Sequence, residues 1–190
     1  MRVIAGSAKG RRLIGPKSDR IRPALDKVKE AIFNILGDID HLRVLDLFAG
    51  TGSIGIEALS RGAGHVVLAD SGPEALQIIR KNLEICRFSN KASILKVRLP
   101  ADISRIAKKQ APFDLIFVDP PYDRNLVGPT LRKIAEEKIL APRGTAVVEH
   151  SPREEIREEC GLVLTDQRRY GQTRISFLRR RGRNQCPTGP

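Results

Sequence analysis

The sequence Asp119-Pro120-Pro121-Tyr122, which follows the apolar run 115–118, groups hydrogen-bond acceptors beside an aromatic ring. Proline has no N–H group, so the main chain at Pro120 and Pro121 offers only carbonyl acceptors, and an ionised Asp119 also only accepts. Such a cluster suits a flat –NH2 group on a heteroaromatic ring, because acceptors aimed at both N–H bonds turn the amine lone pair towards an electrophile. Tyr122 can hold the ring by stacking, which is worth about 1–3 kcal/mol per base. The alternative is a proline-rich turn after a buried strand.

A second candidate site lies upstream, where the apolar run 44–48 leads into the glycine-rich sequence 49–55. Glycines at a strand-to-helix turn let the backbone approach a ligand closely, and their spacing here matches G-x-G-x-x-G. That pattern alone would equally fit a nicotinamide or flavin enzyme. Asp46 favours another ligand, because its charge just before the turn would repel a pyrophosphate and attract an ammonium group.

A second acid supports this interpretation. Asp70 closes the next apolar run and lies 20 residues past Gly50, where a carboxylate can hold a ribose diol. A ligand with a ribose, an ammonium group and no phosphate fits S-adenosylmethionine, whose sulfonium also supplies an electrophilic methyl group. Taken singly, Asp46 could instead be a helix-capping or turn residue, and Asp70 an ordinary N-cap.

Four segments together resemble one family, the bacterial 16S ribosomal RNA guanine-N2 methyltransferases (RsmD-like). The segments are Arg2–Ala5 with Gly6 and Gly10–Leu13, Arg22–Asn34, Asp46–Ser53 and Asp119–Tyr122. The likeness runs in order from Arg2 to about Leu178. The chain departs from the family pattern at Ala24, where a hydroxyl residue is usual, and at Asp70, where the family usually has Glu followed two residues on by Asp. The segment 97–102 is also longer than the family pattern, which bears on the role of Asp102.

The resemblance implies a class I, Rossmann-like fold and methyl transfer from S-adenosylmethionine to the N2 amine of a guanine in 16S rRNA. The catalytic residues it implies are Asp119, Pro120, Pro121 and Tyr122. The cofactor-binding residues it implies are Asp46, Phe48, Gly50, Thr51, Gly52, Asp70 and, on the adenine side, Asp102. The alternatives are an adenine-N6 methyltransferase on DNA or RNA, a decayed methyltransferase that only binds RNA, and a nicotinamide oxidoreductase.

The net charge of +12 is concentrated at the two ends of the chain. Residues 1–29 hold nine Lys/Arg against two Asp/Glu, and residues 168–183 hold seven Arg and no acid. The residues between these two ends therefore carry a net charge of −2. Separated basic ends favour phosphate contacts that flank a site. The amino-terminal set is expected to bind RNA, and 179–183 is interpreted as part of a disordered tail. The amino-terminal set is Lys9, Arg11, Arg12, Arg20 and Arg22.

Length and composition bound the remaining possibilities. With 190 residues and 41% apolar content, one α/β body with a sizeable core is expected. The three cysteines are scattered and the three histidines lie far apart, so no metal site is predicted. The sequence has no apolar stretch of the ~20 residues that span a membrane. We therefore expect a cytoplasmic monomer whose partner is 16S rRNA or the assembling small ribosomal subunit.

Alternating patterns predict a mostly parallel seven-stranded sheet with an antiparallel edge and ligands beyond the carboxyl ends of its strands. Residues 1–36 are expected to form a basic hairpin and helix, 37–178 the methyltransferase domain and 179–190 the tail. The predicted strands are 43–48, 65–69, 92–97, 114–118, 145–149, 162–169 and 173–178. The predicted helices are 24–36, 53–61, 73–86, 102–109, 125–138 and 153–159, and segments 2–5 and 12–14 are expected to form a hairpin or extended arm.

Overall fold

The structure is a computed structural model that describes residues 1–15, 23–110, 112–122, 124–156 and 161–180. Its chain divides into two compact units, Met1–Leu99 and Pro100–Pro190. The predicted domain boundary after residue 36 stays a prediction. No helix in the described parts of the chain is long and apolar enough to cross a membrane.

The first unit is built around three parallel strands, with the second strand in the middle. Residues 66–69 of that central strand are 0% exposed, so it is buried on both faces, as its uninterrupted apolar run predicts. Its strands are β1 (Arg43–Leu47), β2 (His65–Asp70) and β3 (Ala92–Lys96), and its helices are α1 (Pro23–Leu36), α2 (Ser53–Ser60) and α3 (Pro73–Cys86), with a short 3-10 turn at Ser89–Lys91.

Two glycines allow α2 to begin directly against β2. A Cβ atom on Gly52 would lie 2.9 Å from Leu68 Cδ2, and Gly52 also has a φ of 73°, which disfavours other residues. A Cβ atom on Gly55 would lie 3.0 Å from both Leu68 Cδ2 and Asp46 Oδ2. The helix can therefore approach the strand only because both positions lack a side chain.

The amino-terminal segment folds back on itself as a short antiparallel arm, which we define as residues 1–15. Arg2 and Arg12 form a β-bridge, and the N–H of Val3 donates to the carbonyl of Arg11 at 3.0 Å. The predicted pairing of these two segments is thus present, although it is limited to a single bridge. Ser60 also binds the arm, accepting a hydrogen bond from the N–H of Ala8 at 2.9 Å.

A buried glutamate, Glu57 of α2, fastens the arm to the first unit. Its carboxylate accepts the N–H groups of Ile4 at 2.8 Å and Ala5 at 3.0 Å. The side chain is 0% exposed and is paired with Arg61 at 2.8 Å and with Lys29 at 3.4 Å. Burial lowers the pKa of Lys29, while the Glu57 charge acts in the opposite direction. Two N–H donors and two cations therefore offset the charge of Glu57, as the burial of a carboxylate requires.

The second unit carries four strands, of which two form an edge hairpin. β4 and β5 are parallel, whereas β7 pairs antiparallel with both β5 and β6. A two-residue turn with Gly171 at a φ of 62° joins β6 to β7, as in tight hairpins. Its strands are β4 (Phe113–Val118), β5 (Leu140–His150), β6 (Leu162–Tyr170) and β7 (Thr173–Arg180), and its helices are α4 (Ile103–Gln110) and α5 (Val127–Glu136). The predicted fold class, a mostly parallel seven-stranded sheet with an antiparallel edge, is confirmed.

Three predicted boundaries in this unit were wrong. β5 begins at Leu140 rather than at 145, and its pairing with β4 shifts register after Phe113. Residues 153–156 form a turn, a bend and irregular backbone instead of the start of a helix, while 157–160 lie outside the described residues. β7 continues to Arg180, so two of the arginines assigned to the tail belong to a strand; residues 181–190 are outside the described part.

The buried ion pair gives a stability prediction. Replacing Glu57 with Gln should lower the free energy of unfolding by about 3–5 kcal/mol, because it leaves the Lys29 ammonium buried without its counter-charge. Urea unfolding followed by circular dichroism measures the loss.

The matched control is Glu136→Gln, which breaks an exposed pair with Lys133 at 2.8 Å. Exposed pairs contribute little, so this change should cost less than about 1 kcal/mol. Equal losses for the two variants would show that Glu57 is not a structural anchor.

Candidate active site

The glycine loop between β1 and α2 is tightly bent. Phe48, which follows β1, has a φ of 62°, a left-handed conformation that is uncommon for a residue with a side chain. Gly50 and Gly52 also have positive φ values, of 53° and 73°. The N–H of Ala49 donates to the carbonyl of Ala69 at 3.1 Å, which fixes the loop at the end of β2.

Asp70, the last residue of β2, shapes this loop through both of its carboxylate oxygens. One oxygen accepts the N–H of Gly50 and the other the N–H of Gly72, each at 2.8 Å. The N-cap residue of α3 is Gly72, so Asp70 is not the ordinary N-cap that was the alternative interpretation. Each carboxylate oxygen can accept more than one hydrogen bond, so Asp70 can also accept hydrogen bonds from the hydroxyl groups of a ligand.

Asp46 lies fully buried within β1, below the first turn of α2. Its Oδ2 atom accepts the N–H of Gly55 at 3.0 Å, so the residue does cap the helix, as the alternative interpretation proposed. Burial raises the pKa of Asp46 to about 8, and the nearby Asp70 carboxylate contributes in the same direction. A cationic group placed beside Asp46 would therefore favour its ionised form.

Sequence reasoning missed two buried residues that join the arm to the glycine loop. The side-chain amide of Asn82, on α3, donates to the carbonyls of Ile14 at 3.0 Å and Thr51 at 2.9 Å. The ammonium of Lys29 donates to the carbonyl of Arg2 at 2.8 Å and to the hydroxyl of Ser53 at 3.1 Å. Asn82 belongs to no local motif, and Lys29 lies within the segment Arg22–Asn34 but was given no role there.

The predicted acceptor tetrapeptide directly follows β4 in the second unit. Asp119, Pro121 and Tyr122 are exposed, whereas Pro120 is buried. The register pairs Val118 with Val148 of the adjacent parallel strand, so Asp119 and Glu149 each stand one residue beyond that pair. Residues related in this way emerge on the same face, and their strands run about 4.8 Å apart.

The Tyr122 hydroxyl is tethered at both sides. It donates to Glu149 Oε1 at 3.0 Å and lies 2.8 Å from Thr173 Oγ1, while the residue stays 42% exposed. Burial raises the pKa of Tyr122 to about 12, and burial also raises the pKa of Glu149. The ring is thus held by its polar tip, and no sequence signal pointed to either partner.

The other predicted site residues fall in different places. Asp102 immediately precedes α4, where its carbonyl accepts the N–H of Arg105 at 3.0 Å, and its contact with adenine stays a prediction. Lys9 and Arg12 are exposed on the arm, but the Arg11 guanidinium donates to the carbonyl of Ile85. Arg20 and Arg22 lie outside the described residues. No group of three His, Cys, Asp or Glu side chains suited to a metal occurs in the portion described.

The chain is similar to several known proteins. A family model described as "Conserved hypothetical protein 95" matches residues 1–179. The "Putative rRNA methyltransferase YlbH" of Bacillus subtilis is 40% identical over 184 residues, which cover 96% of this chain and 100% of that protein. The "Ribosomal RNA small subunit methyltransferase D" of Escherichia coli is 35% identical over 150 residues, covering 78% and 74%.

A solved structure gives the same result. The "Putative methyltransferase yhhF from Escherichia coli" superposes with a TM-score of 0.82 at 30% identity, and the match covers 96% of this chain and 99% of that one. The sequence match and the structural match both run over nearly the whole chain. The protein therefore belongs to the Conserved hypothetical protein 95 family, the RsmD-like methyltransferases that the sequence resembles.

Proposed function

We propose that this protein transfers a methyl group from S-adenosylmethionine to the exocyclic N2 amine of a guanine in 16S rRNA. The observation that carries the proposal is the exposed Asp119-Pro120-Pro121-Tyr122 sequence at the end of β4, with its tyrosine tethered to two neighbouring strands. Relatives whose names specify the small-subunit ribosomal RNA support the substrate class. The proposed methyl donor is S-adenosylmethionine, which the buried Asp46 and the loop held by Asp70 suit.

The first unit supplies groups that fit this donor. The buried Asp46 carboxylate suits the ammonium group, because a nearby positive charge offsets the penalty of ionising it. Asp70 can accept hydrogen bonds from the ribose hydroxyls, and the loop of Gly50, Thr51 and Gly52 allows close backbone approach. The bound donor supplies a methyl group activated by an adjacent sulfonium. Phe48 and Asp102 remain proposed contacts, with Asp102 on the adenine side.

The second unit supplies groups that fit the acceptor. The Asp119 carboxylate and the Pro120 carbonyl accept the two N–H bonds of the amine, which turns its lone pair towards the methyl group. Tyr122 stacks on the base, which must leave any helical stack at a cost of a few kcal/mol. Transfer proceeds by in-line displacement, and catalysis comes from positioning and from these preorganised acceptors. The amine proton then passes to Asp119 or to water.

Nucleoside mass spectrometry tests the reaction. After 16S RNA is incubated with the protein and isotopically labelled S-adenosylmethionine, labelled N2-methylguanosine should appear. Asp119→Ala should lower the rate at least a hundredfold, about 2.7 kcal/mol of barrier, with little change in the affinity for S-adenosylhomocysteine.

Asp38→Ala is the matched control, since this exposed aspartate lies in the connection before β1. Its rate should equal that of the unchanged protein. Labelled N6-methyladenosine in place of methylguanosine would support the adenine alternative instead. An Asp119→Ala rate within about tenfold of the control would remove the role given to Asp119.

The pKa of Asp46 predicts how cofactor binding depends on pH. The ligand cation favours the ionised carboxylate, so binding releases a proton whenever the pH lies below about 8. Affinity for S-adenosylhomocysteine should therefore rise by up to about tenfold per pH unit between pH 6 and 8 and then level off. Isothermal titration calorimetry at several pH values across this range measures the affinity.

Asp46→Asn separates the protein's titration from that of the ligand amine. The amide oxygen can still accept the N–H of Gly55, so the fold should be kept. This variant should bind more weakly, and its affinity should lose the rise towards pH 8. The same pH profile in both proteins would exclude Asp46 as the ammonium partner.

Phosphate contact by the arm predicts a change in salt dependence. Reversing Lys9 and Arg12 to Glu should weaken RNA binding whatever the sequence, and each lost phosphate contact should remove about 0.7–0.9 from the log–log salt slope. Arg11 is left intact because it holds the carbonyl of Ile85. Titrations of a 16S RNA fragment at several salt concentrations measure the slope.

The control reverses Arg80 and Lys81, two exposed neighbours on α3 that give the same change in net charge. A salt slope that falls equally in both variants would mean that RNA binding depends only on the net charge of the protein. An unchanged slope in the arm variant would place the RNA elsewhere.

A further inference from the structure

Two carboxylates and a tyrosine hydroxyl converge at the ends of β4 and β5. Asp119 and Glu149 follow the same register pair, so their side chains leave one face of the sheet on strands about 4.8 Å apart. The Tyr122 hydroxyl donates to Glu149 Oε1 at 3.0 Å, which orients that carboxylate. Asp119 also acts on Tyr122, since its charge contributes to raising the pKa of the phenol.

Glu149 is partly buried, and the part of the chain that the structure describes holds no ion-pair partner for it. Its contact with Tyr122 is made through Oε1. The second oxygen, Oε2, accepts no hydrogen bond from the described residues and can accept one from a bound base.

Guanine and adenine differ at the ring atom next to the methylated amine. In guanine the N2 amine adjoins N1–H, so the edge presents three N–H donors in a row. In adenine the N6 amine adjoins N1, which carries a lone pair and no hydrogen. A carboxylate beside Asp119 would accept the N1–H of guanine and would repel the N1 lone pair of adenine.

Resting on the proposed function, we infer that Glu149 is the residue that selects guanine, by accepting the N1–H while Asp119 accepts the N2 amine. Tyr122 has two tasks in this arrangement. Its ring stacks on the base, and its hydroxyl fixes the carboxylate that reads the edge. Thr173 bonds the same hydroxyl at 2.8 Å and so helps to hold the Tyr122 ring in place.

A base analogue without the N1 hydrogen tests this contact. 2-Aminopurine keeps the methylated 2-amine of guanine but lacks both O6 and the hydrogen on N1, so it loses the contact with Glu149, and the Glu149→Gln variant below separates that loss from the loss of O6. In an RNA fragment with 2-aminopurine at the target position, the unchanged protein should show a kcat/KM about ten- to a hundredfold lower than with guanine, the range of one well-formed base contact. Equal values for the two RNAs would overturn the inference without any variant.

The variant experiment uses Glu149→Gln, whose amide can donate to a ring nitrogen. With this change the preference for guanine over 2-aminopurine should shrink to less than about threefold, through slower methylation of guanine and faster methylation of 2-aminopurine. Glu155→Gln is the control, because this exposed glutamate follows the same strand and gives the same loss of charge. It should keep the full preference.

The outcomes separate this inference from the proposed function. Failure of the unchanged protein to methylate any guanine would contradict the proposed function itself. Methylation of guanine with the full preference retained in Glu149→Gln would leave the proposed function standing and overturn the role of Glu149. Affinity for S-adenosylhomocysteine, which should be the same in all variants, verifies that each protein is folded.

Discussion

The burial of the Asp46 carboxylate is the constraint on which the proposed cofactor site of the first unit depends. This acid lies in β1, where Val44, Leu45 and Leu47 are all 0% exposed and both faces of the strand are thus buried, and the N–H of Gly55 is its hydrogen-bond donor. Because burial raises the pKa of the acid to about 8, ionising it opposes folding as the pH rises from the usual range of an aspartate towards 8. A bound cation removes that penalty. The arrangement that makes the free protein less stable at neutral pH is therefore the one that favours a positively charged ligand.

The arm and the glycine loop are parts of one polar network in the first unit. Asn82 connects Ile14 to Thr51, Lys29 connects Arg2 to Ser53, and Glu57 is shared by the arm and α2. Each of these side chains is buried and satisfied, and networks of this kind rigidify the segments that they join. The partners are 24 to 68 residues apart, so no window of sequence contains both ends of any contact. Read locally, these residues are ordinary polar positions on helices, and only the folded chain shows what they hold.

Most elements were predictable because the local pattern and the tertiary environment agree. The apolar runs before Asp46, Asp70 and Asp119 are strands, and each acid stands in or directly after its strand, as the spacing indicates. The errors occurred where a local signal was overruled. Residues 140–144 resemble a loop because they contain proline and glycine, yet they begin β5 through a register shift. Residues 153–156 contain good helix formers, yet Glu154 N–H bonds the carbonyl of Ser151 in a turn.

Several arginines near the carboxyl end of the chain lie on the hairpin of β6 and β7, so their neighbours in the sheet bear on their role. β6 lies beside β7 at one side of the second unit, and charged side chains on such a strand discourage pairing with other chains. That role accounts for Arg168, whose charge is balanced by Asp166 at 3.1 Å. It does not account for Arg169 and Arg174, which are register partners and repel each other across the ladder. Among the described residues no acid forms an ion pair with either of these two arginines. Composition could show that the charge was present, but only the register shows that two of the arginines face each other across the hairpin.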